Sequence, residues 1–304
     1  MTTSPAGHPT CPWGQPRRIL ALLALALACA PAPAPDTTGP ARRILSQTVL
    51  SDEILWSLGP AARSRVVGLS TMADDPRYSR AAGQWPLEVP RLAVTSEGLL
   101  AQRPDLVVIA SFSAPEIKAM LRAQSVRLLE FDSFTGFADY RRQLRQLAAV
   151  TEADAAADTI IADLDRRLAL LATRRPTPAP TAIAWSDGYA AAGGTTFADV
   201  AAAAGFINLP ERSGLSGHVP IAMELLLAWD PEVIVISCHA TDASDPACPA
   251  AEARFAEGPG ITATRAYRDD RIVALPARDI GGTGEGMILS AELLQARLLA
   301  RTAP

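Results

Sequence analysis

Residues 96–111 read SEGLLAQRPDLVVIAS, and residues 223–237 read MELLLAWDPEVIVIS. Shifted by 127 residues the two stretches superpose without a gap: Glu97 falls on Glu224, Leu99 on Leu226, Ala101 on Ala228, Pro104 on Pro231 and Val108–Ile109 on Val235–Ile236. Each is a short helix that turns through Pro-Asp or Pro-Glu into a strand too continuously apolar to have a wet face. A unit that occurs twice, far apart, implies two similar halves.

The surroundings of each unit support this. From Arg42 onward, strand-like runs (RRILSQ, SRVVGLS, PDLVVIAS, VRLLEF) alternate with helix-like ones (VLSDEILWSLG, APEIKAMLRAQ, FADYRRQLRQLAAV). That alternation predicts a parallel sheet covered on both faces. Residues 151–175 then run without Gly or Pro, with Ala153, Ala157, Ile160, Ile161, Leu164, Leu168 and Leu171 at helical spacing. This predicts one helix of about 37 Å at 1.5 Å per residue. Alternation resumes with TAIAWS, TTFADVAAAAGF, IAMELLLAW, EVIVIS, RIVALP and SAELLQARLLAR. The expected fold is α/β: two Rossmann-like lobes with parallel sheets, 42–150 and 176–304, joined by a long backbone helix at 151–175. That stiff helix should restrict the lobes to small hinge motions.

The N-terminus carries an address. Arg17 and Arg18 precede the apolar run Ile19–Ala30, which is too short to span a bilayer but has the layout of an export signal. The run ends in Ala26-Leu27-Ala28-Cys29, similar to a bacterial lipoprotein box although alanine stands where leucine is usual. Residues 1–28 are expected to be a signal peptide and Cys29 the lipidation site; cleavage without lipid is the alternative. The Arg pair resembles a twin-arginine signal only weakly. The Pro-rich segment 29–41 reads as an extended tether. The mature protein is therefore expected in the periplasm, held to a membrane by lipid alone.

Composition narrows the functions. The chain of 304 residues is 49% hydrophobic and 20% charged, with a formal charge of −4 and Lys118 as its one lysine. No basic stripe interleaves with aromatics, so nucleic acid is not an expected partner. No G-x-S-x-G, H-E-x-x-H or dinucleotide motif is present, and an exported hydrolase is the weaker alternative. Loop acids such as Asp74, Asp75 and Asp187 are read as solvated. DIGGTGEG (279–286) lacks the Lys-Ser/Thr of a phosphate loop and reads as a flexible turn. Cys238 and Cys248, ten residues apart, are expected to form a disulfide in an oxidising compartment. Zinc held by Cys238, His239 and Cys248 is the alternative, weakened by the missing fourth ligand.

The order of these motifs resembles a known family, the helical-backbone substrate-binding proteins of bacterial ABC importers for vitamin B12, ferric siderophores and haem. The resemblance rests on RILSQTVLSDEILWSLG…RVVGLS, the paired E-x-L-L-A units, the mid-chain helix, TTFADVAAAAGF and ELLLAWDPEVIVI, and it spans most of residues 42–300. It implies a monomer without catalytic residues or a resident cofactor, which captures a metal chelate and delivers it to an inner-membrane permease. It also implies that Glu97 and Glu224 dock on permease arginines; without it, each suits the first turn of a helix for its dipole alone. A receptor for bare metal ions is a further alternative, disfavoured because only His218 and His239 follow the signal.

Ligands of parallel α/β sheets sit beyond the carboxyl ends of the strands. Between two lobes this nominates Met72, Tyr78, Trp85, Phe112 and Phe134 in the first and Trp185, Tyr189, Arg212, His218 and Arg278 in the second, with the Ser46–Thr48 loop and His239 nearby. Trp56 and Trp229 are read as core, and Trp185 could be core or cleft. His218 could be an axial metal ligand or a structural hydrogen-bonder, and Arg278 could grip an anion or pair with an acid.

Overall fold

The computed structural model describes residues 39–93, 95–241 and 245–302. The signal peptide, Cys29 and most of the tether lie outside them. Among the described residues no helix is long and apolar enough to cross a membrane.

The first lobe is built on β1 (Ile44–Ser46), β2 (Val66–Ser70), β3 (Arg91–Leu92), β4 (Leu106–Ala110) and β5 (Arg127–Phe131). They form one parallel sheet in the order β3-β2-β1-β4-β5. The order reverses between β1 and β4, which creates the crevice where such sheets bind ligands. All five residues of β4 are buried, as its unbroken apolar run requires.

The second lobe contains β6 (Thr181–Ser186), β7 (Tyr189–Ala191), β8 (Ile207–Asn208), β9 (His218–Pro220), β10 (Val233–Cys238) and β11 (Ile272–Pro276). β6, β8, β10 and β11 are parallel and repeat the plan of the first lobe. β7 and β9 run antiparallel on the far edge, so this sheet is mixed where a parallel one was expected. The reason is local: Asp187 and Gly188 both take left-handed φ angles of 47° and 85°, and this two-residue Asp-Gly turn folds the chain straight back.

Alternation along β10 divides the core. Val233 and Val235 point into a large apolar cluster, while Ile234 and Ile236 point into a smaller one on the outer face. The large cluster continues without interruption from Ile44 and Leu106 through Leu147, Ile161 and Leu164 to Val200 and Leu294. The lobes thus share a core.

The backbone helix is shorter than expected. It covers Asp154–Thr173, while Thr151 closes the preceding helix, Phe137–Thr151. Glu152 turns the chain between them in the left-handed region, φ 57°. Neither Gly nor Pro marks this break; Arg65 holds the Glu152 carboxylate at 2.6 Å. Ala157, Ile161, Leu164 and Leu171 seat the helix on the shared core, and the Gln295 amide clamps its end by donating to the Leu171 and Ala204 carbonyls.

Candidate functional site

The carboxyl edges of both sheets face a cleft between the lobes. A cavity of about 270 Å³ lies between Val49, Met72 and Tyr78 of the first lobe and Arg278, Gly282 and Thr283 of the second. A larger one, about 530 Å³, adjoins it through Ala277, Gly281 and Thr283 and reaches Phe134, Trp185, Tyr189 and His218. The larger falls in the size range of small-molecule sites by itself, and the smaller does so as an extension of it.

Most of the nominated side chains reach this cleft. Tyr78 and Tyr189 are 45% and 55% exposed, and His218 stands exposed at the start of β9. Phe112 is 81% exposed beyond the end of β4 and meets Phe134 at 5.8 Å, an aromatic pair on the first-lobe rim. The Phe134 loop is fastened by Asp139, whose carboxylate accepts from the Ser133 and Thr135 hydroxyls and from the Thr135 amide and pairs with Arg142. Burial opposes ionisation there, but these bonds outweigh it and hold the carboxyl down at about 2.

Four nominations need correcting or refining. Trp85 is only 3% exposed and packs edge-on against Trp56 at 5.2 Å, so it is core. Arg212 ends the short helix Leu209–Arg212, exposed and away from both cleft cavities. Ser46 and Thr48 are used internally: Thr48 accepts from the Ser51 amide in a capping box, and Ser46 shares a 2.6 Å bond with the Ser51 hydroxyl. Trp185 points to the outer face, beside Phe255, and reaches the cleft by its edge.

Beneath the cleft lies a charged seam that the sequence did not reveal. Arg80 of the first lobe pairs with Asp279 of the second at 2.6 Å, and Glu285 is 3.9 Å from its guanidinium. Glu53 accepts from the Arg80 amide at 2.8 Å. Arg167 on the backbone helix reaches Glu292 at 2.6 Å and Glu285 at 3.5 Å. Burial pushes the Glu53 carboxyl up to about 7, and it raises Asp279 against the pull of Arg80. Nearby, Asp52 in the helix Val49–Ser57 accepts from the Ser70 hydroxyl at 2.5 Å, tying that helix to the end of β2, and burial raises it to about 7 as well. DIGGTGEG belongs to this seam and is not a loose turn. A Cβ on Gly284 would lie 3.0 Å from Leu50 and 3.2 Å from Glu53, so any larger residue would push these first-lobe side chains aside by a few tenths of an ångström.

Cys238 and Cys248 form a disulfide with their Cα atoms 5.0 Å apart, pinning the helix Ala247–Ala256 to the end of β10.

Glu97 and Glu224 are both exposed in the first turns of equivalent helices, Ser96–Ala101 and Met223–Trp229. The Gln102 and Arg103 carbonyls just after the helix Ser96–Ala101 accept from Arg43, next to the start of β1, which anchors the end of that helix. Among the described residues no cation lies within 4.0 Å of either glutamate.

The family model described as periplasmic binding protein matches residues 46–278, and the chain belongs to that family. Among solved structures it is similar to a periplasmic heme binding protein from Pseudomonas aeruginosa, 26% identical, with a TM-score of 0.69 over 87% of this chain and 94% of that one. It is also similar in fold to the periplasmic vitamin B12 binding protein of Vibrio cholerae, 20% identical, TM-score 0.65, covering 87% and 99%. A third is an Fe3+-hydroxamate transport protein from Saccharomonospora viridis, 20% identical, TM-score 0.65, covering 86% and 94%. No curated protein matches the sequence. The protein is thus an extracytoplasmic substrate-binding protein of the helical-backbone type, and not an enzyme.

Proposed function

We propose that this protein captures a metal chelate in the interlobe cleft and delivers it to an ABC permease in the inner membrane, tethered by a lipid on Cys29. The observation that carries the reading is the make-up of the cleft walls. Aromatic side chains come from both lobes, with Tyr78 on one wall and Tyr189 and His218 on the other. Tyrosine and histidine are axial ligands for a metal whose equatorial positions are already filled by an organic macrocycle. Among the described residues no three His, Cys, Asp or Glu side chains converge as a metal-binding set, which favours a wrapped metal over a bare ion. Haem is the first candidate, since the 26% identical relative is a heme binding protein; cobalamin and ferric siderophores follow.

Delivery rests on Glu97 and Glu224. Two exposed carboxylates, one per lobe and at matching places, suit a register mark on a partner with two-fold symmetry, contributing orientation and encounter rate.

The test is titration of residues 36–304 with haemin, cobalamin and a ferric hydroxamate, followed by tryptophan fluorescence and by the visible spectrum. Saturable one-to-one binding of one chelate is expected. Failure of all three to bind, or turnover of a substrate by the purified protein, would overturn the reading.

A further inference from the structure

The outer face of the second sheet carries a cavity of about 550 Å³ that the cleft reading does not use. Strand alternation builds one wall, because Trp185 on β6 and Ile236 on β10 both point outward. The facing wall is the helix Ala247–Ala256, where Ala247, Ala250 and Ala251 leave open the space that larger side chains would fill. The aromatic wall is held in place. The Trp185 indole N–H donates to the Ile221 carbonyl at 2.9 Å, and its ring meets Phe255 at 5.6 Å. The Cys238–Cys248 disulfide fixes the helix against the strand.

The rim adds charge. Arg254 is exposed and lines the cavity, and among the described residues no carboxylate lies within 4.0 Å of its guanidinium. His239 stands exposed beside it on the rim, and Asp187 lines the side formed by the β6–β7 turn. Most other basic groups in this lobe are committed, as Arg265 is to Asp230 and Arg297 to Glu252.

We propose that this cavity is a second binding site, for a planar aromatic or heteroaromatic ring that carries an anionic group. The ring lies between Trp185 and the helix that carries Phe255 and the alanines, where stacking is favourable. The anion meets Arg254 and His239 in charge-assisted hydrogen bonds, and Asp187 accepts from ring hydroxyls or amines. Such a group has two sources: a free small molecule, or an arm of a chelate held in the cleft. The second source rests on the function proposed above. It is geometrically open because both cavities share Trp185, Ser186, Ile236 and Ser237 at the ends of β6 and β10.

The experiment uses the mature chain and two variants, Ala251→Trp, which fills the cavity, and Arg254→Ala, with folding checked by circular dichroism and unfolding midpoint. The free probe is 2,3-dihydroxybenzoate, measured by calorimetry. The chelates are a ferric tris-catecholate, whose arms are dihydroxybenzoyl rings, and a ferric hydroxamate without rings. Saturable dihydroxybenzoate binding that A251W abolishes and R254A weakens about tenfold supports a free ligand. Tris-catecholate affinity that falls at least as far in A251W, with hydroxamate affinity unchanged, supports an arm. The proposal falls if dihydroxybenzoate fails to bind and A251W treats both chelates as the parent does, or if the variants bind the probe as well as the parent. Failure of every chelate to bind overturns the cleft reading alone, and the free-probe result still decides this one.

Discussion

Arg80 of the first lobe and Asp279 of the second meet at 2.6 Å across a distance of 199 residues in the chain, with 27% and 5% of their side chains exposed. Removing one partner of a largely buried pair strands the other. Arg80→Ala would leave Asp279, Glu53 and Glu285 facing one another without their shared cation. A loss of about 2–4 kcal/mol is expected from urea unfolding of the soluble chain. A loss below about 0.5 kcal/mol, the level of an ordinary surface change, would show that the seam does not join the lobes.

Asp52 and Glu53 set a pH dependence. Burial raises both carboxyls to about 7, so between about pH 4 and pH 7 the native state holds protons that the unfolded chain has released. Their contribution is complete below that window and disappears as pH rises through about 7. Asp139, held at about 2, acts in the opposite sense: its contribution is present above pH 4 and is lost as pH falls toward 2. Stability should therefore decline from pH 5 to pH 8, and Asp52→Asn should flatten that decline by about 2 kcal/mol. Parallel pH profiles for parent and variant would contradict the assignment.

Asp199 caps a helix of the other lobe, accepting from the Phe137 amide at 2.8 Å. A Cβ on Gly136 would fall 1.9 Å from its carboxylate. The φ of Gly136 is 172°, extended backbone open to any residue, so the cost of Gly136→Ala comes from displacing Asp199. Gly136→Ala and Asp199→Ala should each cost about 1 kcal/mol, the worth of a cap. The double variant should cost less than their sum, which a double-mutant cycle in denaturant reads. Strict additivity would mean that the glycine and the carboxylate act separately.

Charge reversal at Glu97 and Glu224 should separate capture from delivery. Neither residue lines a cleft cavity, so E97R and E224R should bind chelate within about twofold of the parent. Permease-dependent uptake should fall at least tenfold in the double variant, and uptake by the parent should weaken with salt. Normal uptake by the double variant would remove these residues from docking.

Much of the fold was legible in the sequence because strand burial and helix amphipathicity are local patterns. β4 and β10 stand where their apolar runs predicted, each behind its acid-bearing helix. What was not legible depends on distant contacts. The break at Glu152 carries no Gly or Pro, and it sits beside an ion pair from Arg65, 87 residues away. Trp85 follows a polar loop and looked available for ligand, yet Trp56, from the helix Val49–Ser57, packs against it. The Arg80–Asp279 seam left no mark in either local stretch. The β7–β9 edge had a local signal, the Asp187-Gly188 turn, which the alternation of strands and helices overshadowed.

The central claim is that a chelated metal rests between the two lobes. Anomalous diffraction from crystals of the chelate-loaded protein would locate it. The account predicts one metal peak in the cleft, between Met72 and Tyr78 on the first-lobe wall and Tyr189 and His218 on the second. A peak on the outer surface of either lobe, with the cleft filled by solvent, would contradict it.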